Sequence, residues 1–177
     1  MGDQIGIRLT GSGGQGLILG GIILAEAALR DGKNAIQSQS YGPEARGGAS
    51  KSEVIISDEE IDFPKVDKAD LILALTQIAY DKYANTAKNM GILLVDSSVI
   101  INQDLNSGKI VSVPILETAN EILGKPMVAN IVALGVIQEL LNCVSKDALE
   151  VAVLNRVPKG TEELNKNALI EGYKLVK

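Results

Sequence analysis

The sequence predicts an α/β fold, in which an open, mostly parallel sheet carries helices on both faces and the last third of the chain is helical. Short apolar runs alternate with helical stretches, as they do in βαβ units. A glycine-rich turn lies between the first run and the first helix. Two further runs, residues 70–75 and 92–95, are almost continuously apolar, which is typical of strands buried on both faces.

The first strand is predicted at residues 4–9, where apolar side chains alternate, and the first helix at Leu17–Arg30. Gly20 and Gly21 lie inside this helix, so we expect it to pack closely against the sheet. Further strands are predicted at residues 33–37, 51–57, 70–75, 92–95 and 110–113. Because the strand at 51–57 breaks the alternation with helices, we expect it to be antiparallel or to lie at an edge.

The remaining helices are indicated by apolar periodicity and by capping residues. They are predicted at residues 77–89, 118–123, 126–142, 146–153 and 161–177. Gly91 is expected to cap the first of them, Pro126 to occupy the first turn of the third, and Ser145 to cap the fourth.

The composition predicts a single domain and excludes several kinds of function. The chain has 177 residues, 46% of them hydrophobic but only 3% aromatic, so one domain over residues 1–177 with an aliphatic core is predicted. The net charge of −5 argues against a nucleic-acid partner. The chain contains no His, which excludes Ser-His-Asp and Cys-His catalysis within it. Its one cysteine, Cys143, cannot hold an iron–sulfur cluster or form an internal disulfide, and we expect a buried, inert thiol.

No targeting or membrane segment is expected. The apolar run at the N-terminus is too short for a signal peptide, and the longest apolar-rich stretch, residues 127–141, is shorter than a membrane span. A lone cysteine suits a reducing compartment. The sequence therefore predicts a soluble, cytoplasmic protein.

A glycine loop joins the first strand to the first helix. Its candidate ligand-binding residues are Gly11, Ser12, Gly13, Gly14, Gln15 and Gly16. The three glycines at 11, 13 and 16 match G-x-G-x-x-G in the strand–loop–helix context that makes this motif meaningful, so the predicted sheet is Rossmann-like. The helix N-terminus offers N–H groups and a positive dipole end to a phosphate or carboxylate. The alternative is a tight turn that only lets helix and sheet approach closely.

A second polar loop follows the second strand. Its candidate binding residues are Ser40, Tyr41, Gly42, Pro43, Glu44, Arg46, Gly47 and Gly48. Ligands bind outside the carboxyl ends of strands in open α/β sheets, so we expect this loop beside the glycine loop. Arg46 offers a planar fork of donors that suits a phosphate or a carboxylate. A solvated surface turn is the alternative.

The sequence leaves the roles of three further residues open. Asp96 and Thr76 each follow a buried strand, where they could line the pocket or cap the next segment, capping being favoured for Asp96. Asn130 lies in an otherwise apolar helix face and could satisfy a neighbouring loop or contact a partner.

The two loop motifs together, GSGGQG and QSYGPEARGG, resemble those of the gamma subunit of 2-oxoacid:ferredoxin (or flavodoxin) oxidoreductases. The segments DLILALTQ, ILLVDSS and NKNALIEGY extend the resemblance over essentially the whole chain. Within the family, the chain looks most similar to the 2-oxoglutarate branch, and the pyruvate and branched-chain 2-oxoacid branches stay open.

The resemblance implies a subunit of an enzyme for oxidative decarboxylation of a 2-oxoacid with coenzyme A, with 2-oxoglutarate to succinyl-CoA as the expected case in anaerobic metabolism. It implies alpha and beta partner subunits that bind thiamine diphosphate with Mg²⁺, and a ferredoxin-like delta subunit with iron–sulfur clusters. Ferredoxin or flavodoxin would accept the electrons. This chain would carry no redox centre, catalytic residue or metal, and alone it would be inactive or form a homodimer.

In family terms the two loops would face the other subunits and help to enclose the thiamine site and the coenzyme A path, with Arg46 on a phosphate or carboxylate. Two alternatives remain. A stand-alone Rossmann-type dehydrogenase is disfavoured, because residues 36–40 lack the acid that should hold the ribose hydroxyls and the chain has no His. A ligand-free assembly module would use both loops only for contact between subunits.

Overall fold

The computed structural model describes residues 3–40, 48–102 and 108–177, and within them six strands form one sheet in the order β2-β3-β1-β4-β5-β6. The strands are β1 (Gln4–Gly11), β2 (Asn34–Gln39), β3 (Ser50–Ser57), β4 (Ala69–Ala74), β5 (Ala87–Asp96) and β6 (Lys109–Val113). β3 runs antiparallel to both of its neighbours, and all other neighbouring strands are parallel. The predicted mostly parallel α/β sheet is confirmed, with its antiparallel strand inside the sheet instead of at an edge.

Apart from the helix predicted at residues 77–89, the helices follow the prediction. They are α1 (Leu17–Arg30), α2 (Gln77–Tyr83), α3 (Ile115–Glu117), α4 (Ala129–Leu141), α5 (Lys146–Arg156) and α6 (Glu162–Lys174). A π-helical turn, Thr118–Ile122, extends α3, and a 3₁₀ turn that starts at Pro126 leads into α4. Ser145 caps α5 as predicted, since its hydroxyl accepts the N–H of Ala148 at 3.1 Å.

The helix predicted at residues 77–89 is too long. α2 ends at Tyr83, a 3₁₀ turn follows, and β5 begins at Ala87, which pairs with Ala69 of β4. Gly91 is therefore a strand residue and not a helix cap. A Cβ at Gly91 would lie 3.0 Å from the carbonyl oxygens of Ala69 and Lys88, so glycine is needed where the register between β4 and β5 shifts.

Apolar layers cover both faces of the sheet. On one face, α1, α4, α5 and α6 enclose inward side chains such as Ile7, Leu73 and Leu94. On the other face, α2 packs over Ile72 and Leu93. The predicted close packing of α1 is confirmed at its second internal glycine, because a Cβ at position 21 would collide with the hydroxyl of Ser52 in β3.

Two helices of the C-terminal third meet at a pair of glycines. A Cβ at Gly135 of α4 would lie 2.5 Å from the carbonyl oxygen of Leu169, and a Cβ at Gly172 of α6 would overlap with the carbonyl oxygen of Val132. The two backbones are therefore in direct contact. No helix in the described part of the chain is long and apolar enough to span a bilayer.

Candidate functional site

The glycine loop lies at the carboxyl edge of the sheet, between the end of β1 and the start of α1. Gly14 and Gly16 have φ values of 84° and 72°, whereas Gln15 between them has a negative φ. The loop also closes on itself, because the Gln15 N–H donates to the carbonyl oxygen of Ser12 at 3.4 Å. Other residues would be strained at the two positive φ values, so the glycines are required for the loop's shape.

Gln15 braces this loop from inside. Its side-chain oxygen accepts the N–H of Ser12 at 2.8 Å and occupies the space that a Cβ on Gly11 would need. Gly11 and Gln15 are therefore a matched pair, and the Ser12 N–H is already engaged. Gln15, predicted as a candidate ligand-binding residue, thus has a structural role within the loop.

Asn130 braces the loop from outside. This side chain of α4 is 6% exposed, and its Nδ2 donates to the carbonyl oxygen of Gly16 at 3.1 Å. A Cβ at Gly16 would lie 2.5 Å from Nδ2, so the glycine also makes room for the amide. Of the two roles left open by the sequence, contact with a neighbouring loop is the one that the structure contains.

The second loop begins and ends at the carboxyl edge of the sheet, where the glycine loop also lies. Its first residue, Ser40, donates its N–H to the carbonyl oxygen of Lys51 at 3.3 Å, and Ser50, two residues after Gly48, pairs with Gly11. The predicted proximity of the two loops is therefore confirmed at the Gly48 end. The remaining predicted site residues of this loop, Tyr41, Gly42, Pro43, Glu44, Arg46 and Gly47, lie outside the described residues, and their roles stay predictions.

The strand order disfavours a dinucleotide site. In dinucleotide-binding folds the second strand lies beside the first, and an acid at its end reaches the ribose. Here β3 lies between β1 and β2, which places the end of β2 two strand spacings, about 10 Å, from β1. The end of β2 also carries Gln39 instead of an acid.

Asp96 and Thr76 act as caps. The Asp96 carboxylate is buried and accepts the Ser98 N–H at 2.9 Å, the Ser98 hydroxyl at 2.6 Å and the Leu116 N–H at 2.8 Å. It therefore ties the end of β5 to the start of α3. The Thr76 hydroxyl accepts the Ala79 N–H at 3.2 Å and caps α2.

A buried ionic cluster on the α2 face escaped the sequence analysis. Arg8 donates from Nη2 to Glu53 at 3.2 Å and to the carbonyl oxygen of Val66 at 2.6 Å, and Lys51 contacts the same carboxylate at 2.9 Å. Arg8 is 5% exposed, and among the described residues its Nε has no hydrogen-bond partner. In the sequence, Arg8 and Glu53 each stand between apolar strand residues, a pattern that favours charges facing solvent. Only the pairing of β1 with β3, which sets Arg8 opposite Glu53, indicates a buried ion pair.

The cysteine is buried, as predicted. Cys143 is buried, and this burial raises the pKa of its thiol to about 11. The reactive and metal-binding form of cysteine is the thiolate, which this environment disfavours. Within the described residues, no three or more His, Cys, Asp and Glu side chains come together as a metal site would require.

The sequence and the mixed sheet both match a known oxidoreductase family. Residues 6–175 match the family model described as pyruvate ferredoxin/flavodoxin oxidoreductase, and the chain belongs to this family. The 2-oxoglutarate synthase subunit KorC of Methanocaldococcus jannaschii is 52% identical over 174 residues, which cover 97% of this chain and 93% of that protein.

Two solved structures share the fold. The gamma subunit of a keto/oxoacid ferredoxin oxidoreductase from Geobacter sulfurreducens PCA superposes with a TM-score of 0.86 and 51% identity, over 96% of each chain. The 2-oxoglutarate:ferredoxin oxidoreductase from Magnetococcus marinus superposes with a TM-score of 0.87 and 25% identity, over 97% of this chain and 31% of that chain. In that enzyme the fold is therefore one part of a longer polypeptide.

Proposed function

We propose that this chain is the gamma subunit of a 2-oxoglutarate:ferredoxin oxidoreductase, which converts 2-oxoglutarate and coenzyme A to succinyl-CoA and CO₂. The two electrons released pass to ferredoxin or flavodoxin. The observation that carries the proposal is the 52% identity to a 2-oxoglutarate synthase subunit over nearly the full length of both chains. The gamma-subunit structure with 51% identity supports the same assignment.

The chemistry of the proposed enzyme belongs to partner chains. Its iron–sulfur clusters need several thiolate ligands, whereas this chain has one cysteine with a raised pKa. No step through a cluster is therefore assigned to it. Alpha and beta subunits are proposed to bind thiamine diphosphate with Mg²⁺, and a ferredoxin-like delta subunit is proposed to hold the clusters. The assembled enzyme is proposed to lie in the cytoplasm.

The glycine-loop edge is proposed to face these partners and to help enclose the thiamine site and the coenzyme A path. The N-terminus of α1, which opens directly after the loop, supports an anion at this edge. Arg46 of the second loop is proposed to contact a phosphate of coenzyme A or the carboxylate of the 2-oxoacid.

The experiment is purification of the native complex through a tag on this chain. Partner chains with a thiamine diphosphate motif and cysteine-rich cluster motifs are expected to co-purify, and 2-oxoglutarate should give the fastest coenzyme A-dependent reduction of a low-potential dye. A chain that purifies alone, with no 2-oxoacid-dependent activity, would contradict the proposal. A faster rate with pyruvate or 2-oxoisovalerate would keep the subunit role and reject 2-oxoglutarate.

The role of the second loop is tested in the same complex. We expect Arg46→Ala to raise the KM for coenzyme A or for 2-oxoglutarate roughly tenfold, because a charge-assisted contact to an anion is lost. Lys125→Ala is the control, because Lys125 is an exposed cation outside both loops. Lys51 is not suitable, since it contacts the buried Glu53. Unchanged KM values with altered assembly would favour the ligand-free assembly module instead.

A further inference from the structure

The sheet ends on one side at β2, and no strand among the described residues pairs with the far edge of this strand. We propose that two copies of this chain associate through this edge, with β2 of each copy antiparallel to β2 of the other and α1 packed against its own copy. The two sheets would then form one continuous sheet about a two-fold axis. This inference goes beyond the proposed function and does not depend on it.

The backbone groups at the open edge of β2 follow from its pairing with β3. Ser40 donates its N–H to the carbonyl oxygen of Lys51, and bonded residues alternate along an antiparallel pair. Ile36 therefore also bonds to β3, whereas the N–H and C=O groups of Ala35 and Gln37 point away from it. When two β2 strands pair, Ala35 can lie opposite Gln37 of the other copy, and each such pair exchanges two hydrogen bonds.

The sequence of β2 lacks the features that normally prevent such pairing. The strand reads NAIQSQ, with neither proline nor charge, and it pairs with β3 over six consecutive residues without a bulge. Ile36 is half-buried and would face Ile36 of the other copy at the axis, where an apolar cross-strand pair is favourable. The chain has a net charge of −5, so a neutral surface is where two copies can meet without repulsion.

An apolar stripe on α1 lies beside this edge. Four apolar residues that recur every three or four positions form this stripe on one face of the helix: Ile18, Ile22, Ala25 and Leu29. The first three are half-buried, and Leu29 is 57% exposed. α5 packs on the other flank of α1, where Arg156 pairs with Glu26. The α1 stripe is therefore not covered by α5.

The spacing of the elements suits a pair of α1 helices across the axis. α1 lies over both β2 and β3, because a Cβ at Gly21 would be 3.2 Å from Gln37 and 3.4 Å from Val54. Neighbouring strands are about 4.8 Å apart, so an axis midway between the two β2 strands places the two α1 helices about 10 Å apart. Packed helices are separated by roughly 8–10 Å. Because Gly21 is level with Gln37, Ile22 lies near the axis and would meet its own copy.

The combined surface is large enough for a weak dimer. β2 and α1 are each about 20 Å long, since β2 has 6 residues and α1 has 14. The strand edge and the helix face together are about 20 Å deep, which gives roughly 800–1,000 Å² over both copies. This area is at the lower limit of specific association, so we expect a dissociation constant of roughly 1–100 μM.

The experiment measures the mass of the purified full chain by sedimentation equilibrium, at concentrations from about 1 to about 500 μM. We expect twice the monomer mass of 18.7 kDa at the upper end of this range. Ile36→Lys and Ile22→Glu each place two like charges opposite each other at the axis, so each should raise the dissociation constant at least about tenfold. The two variants change different elements, so one still gives the test if the other does not fold.

Each variant has a matched control. Ile110 is 37% exposed on β6, the strand at the other edge of the sheet, and Val151 is 41% exposed on α5. Ile110→Lys and Val151→Glu introduce the same charges outside the proposed surface. They should change the dissociation constant by less than about twofold, because they place no like charges at the axis.

Hydrogen exchange of single amides distinguishes pairing through β2 from another mode of dimerisation. In the dimer, the N–H groups of Ala35 and Gln37 should exchange slowly. In Ile22→Glu they should exchange at least about tenfold faster, while the N–H of Ile36 stays protected by its bond to β3.

Four results would overturn the inference. They are a chain that stays monomeric over the whole concentration range, a control that weakens the dimer as much as its matched variant, a dimer in which Ala35 and Gln37 exchange fast, and protection of these two amides only when other subunits bind. In the last case the edge of β2 would take a strand of a partner subunit instead of a second copy.

Discussion

Replacing Gly172 by alanine should destabilise the chain, because the backbones of α4 and α6 touch at this position. A Cβ there would overlap with the carbonyl oxygen of Val132 and would lie 3.0 Å from the Cα of Gly135. These are backbone atoms of a helix, so they cannot move aside as a flexible side chain would. The two helices would have to separate along their shared contact.

The size of the effect follows from two opposing contributions. Alanine is favoured over glycine inside a helix by roughly 1 kcal/mol. Overpacking costs about 1–3 kcal/mol, and a clash with backbone belongs at the upper end. We therefore expect Gly172→Ala to lower the free energy of unfolding by about 1–2 kcal/mol, which is a fall of about 2–8 °C in Tm for a chain of this size.

Gly20→Ala is the matched control. A Cβ at this position of α1 would lie 3.5 Å from Leu9 and 3.8 Å from Leu134, which are ordinary contact distances. Only the helical preference remains, so this variant should be more stable by up to about 1 kcal/mol. Thermal and urea unfolding of the purified chain, followed by circular dichroism, would measure both variants. A Gly172→Ala variant as stable as the wild type, or a destabilised Gly20→Ala variant, would refute the reasoning.

Two further predictions concern buried ionisable groups. Glu53→Gln should lower the free energy of unfolding by about 3 kcal/mol, because it removes the only charged partner that Arg8 has within the described residues. Urea unfolding would measure this loss. Glu26→Gln breaks a more exposed ion pair and should show a much smaller loss in the same assay. The raised pKa of Cys143 stabilises the fold fully below its unfolded value of 9.0, and this contribution should be lost as pH rises towards about 11. Unfolding measured from pH 8 to pH 11 should therefore show a decline that is smaller in Cys143→Ala, and an equal decline in both proteins would contradict the assignment.

Local signals were sufficient for α1 and for the glycine loop. A run of apolar residues follows a glycine-rich turn and stops at Asp31 and Gly32, and the observed helix has the predicted bounds at both ends. The strand–loop–helix context of the glycines also predicted which edge of the sheet holds the candidate site. Both depend on neighbours within a few residues, and such patterns are visible in a sequence.

The family could also be predicted from the sequence. The two loop motifs predicted it, and the match over residues 6–175 confirmed it. The contacts that shape the site could not be predicted. The bond from Asn130 to Gly16 joins two residues that no local pattern connects, and the use of Gln15 against Gly11 depends on the exact turn of the loop.

The error at residues 84–91 has the same cause. Helical preference extends past Tyr83, but Ala87 pairs with β4 and the backbone hydrogen bonds of the sheet take precedence there. The position of β3 between β1 and β2 likewise depends on which strands pair, which no local pattern shows. The sequence by itself determined the fold class, the family and the glycine loop, because these are written in short-range patterns. Tertiary structure decided the strand order, the buried Arg8–Glu53 pair and the bond from Asn130 to Gly16, because each depends on which distant segments meet.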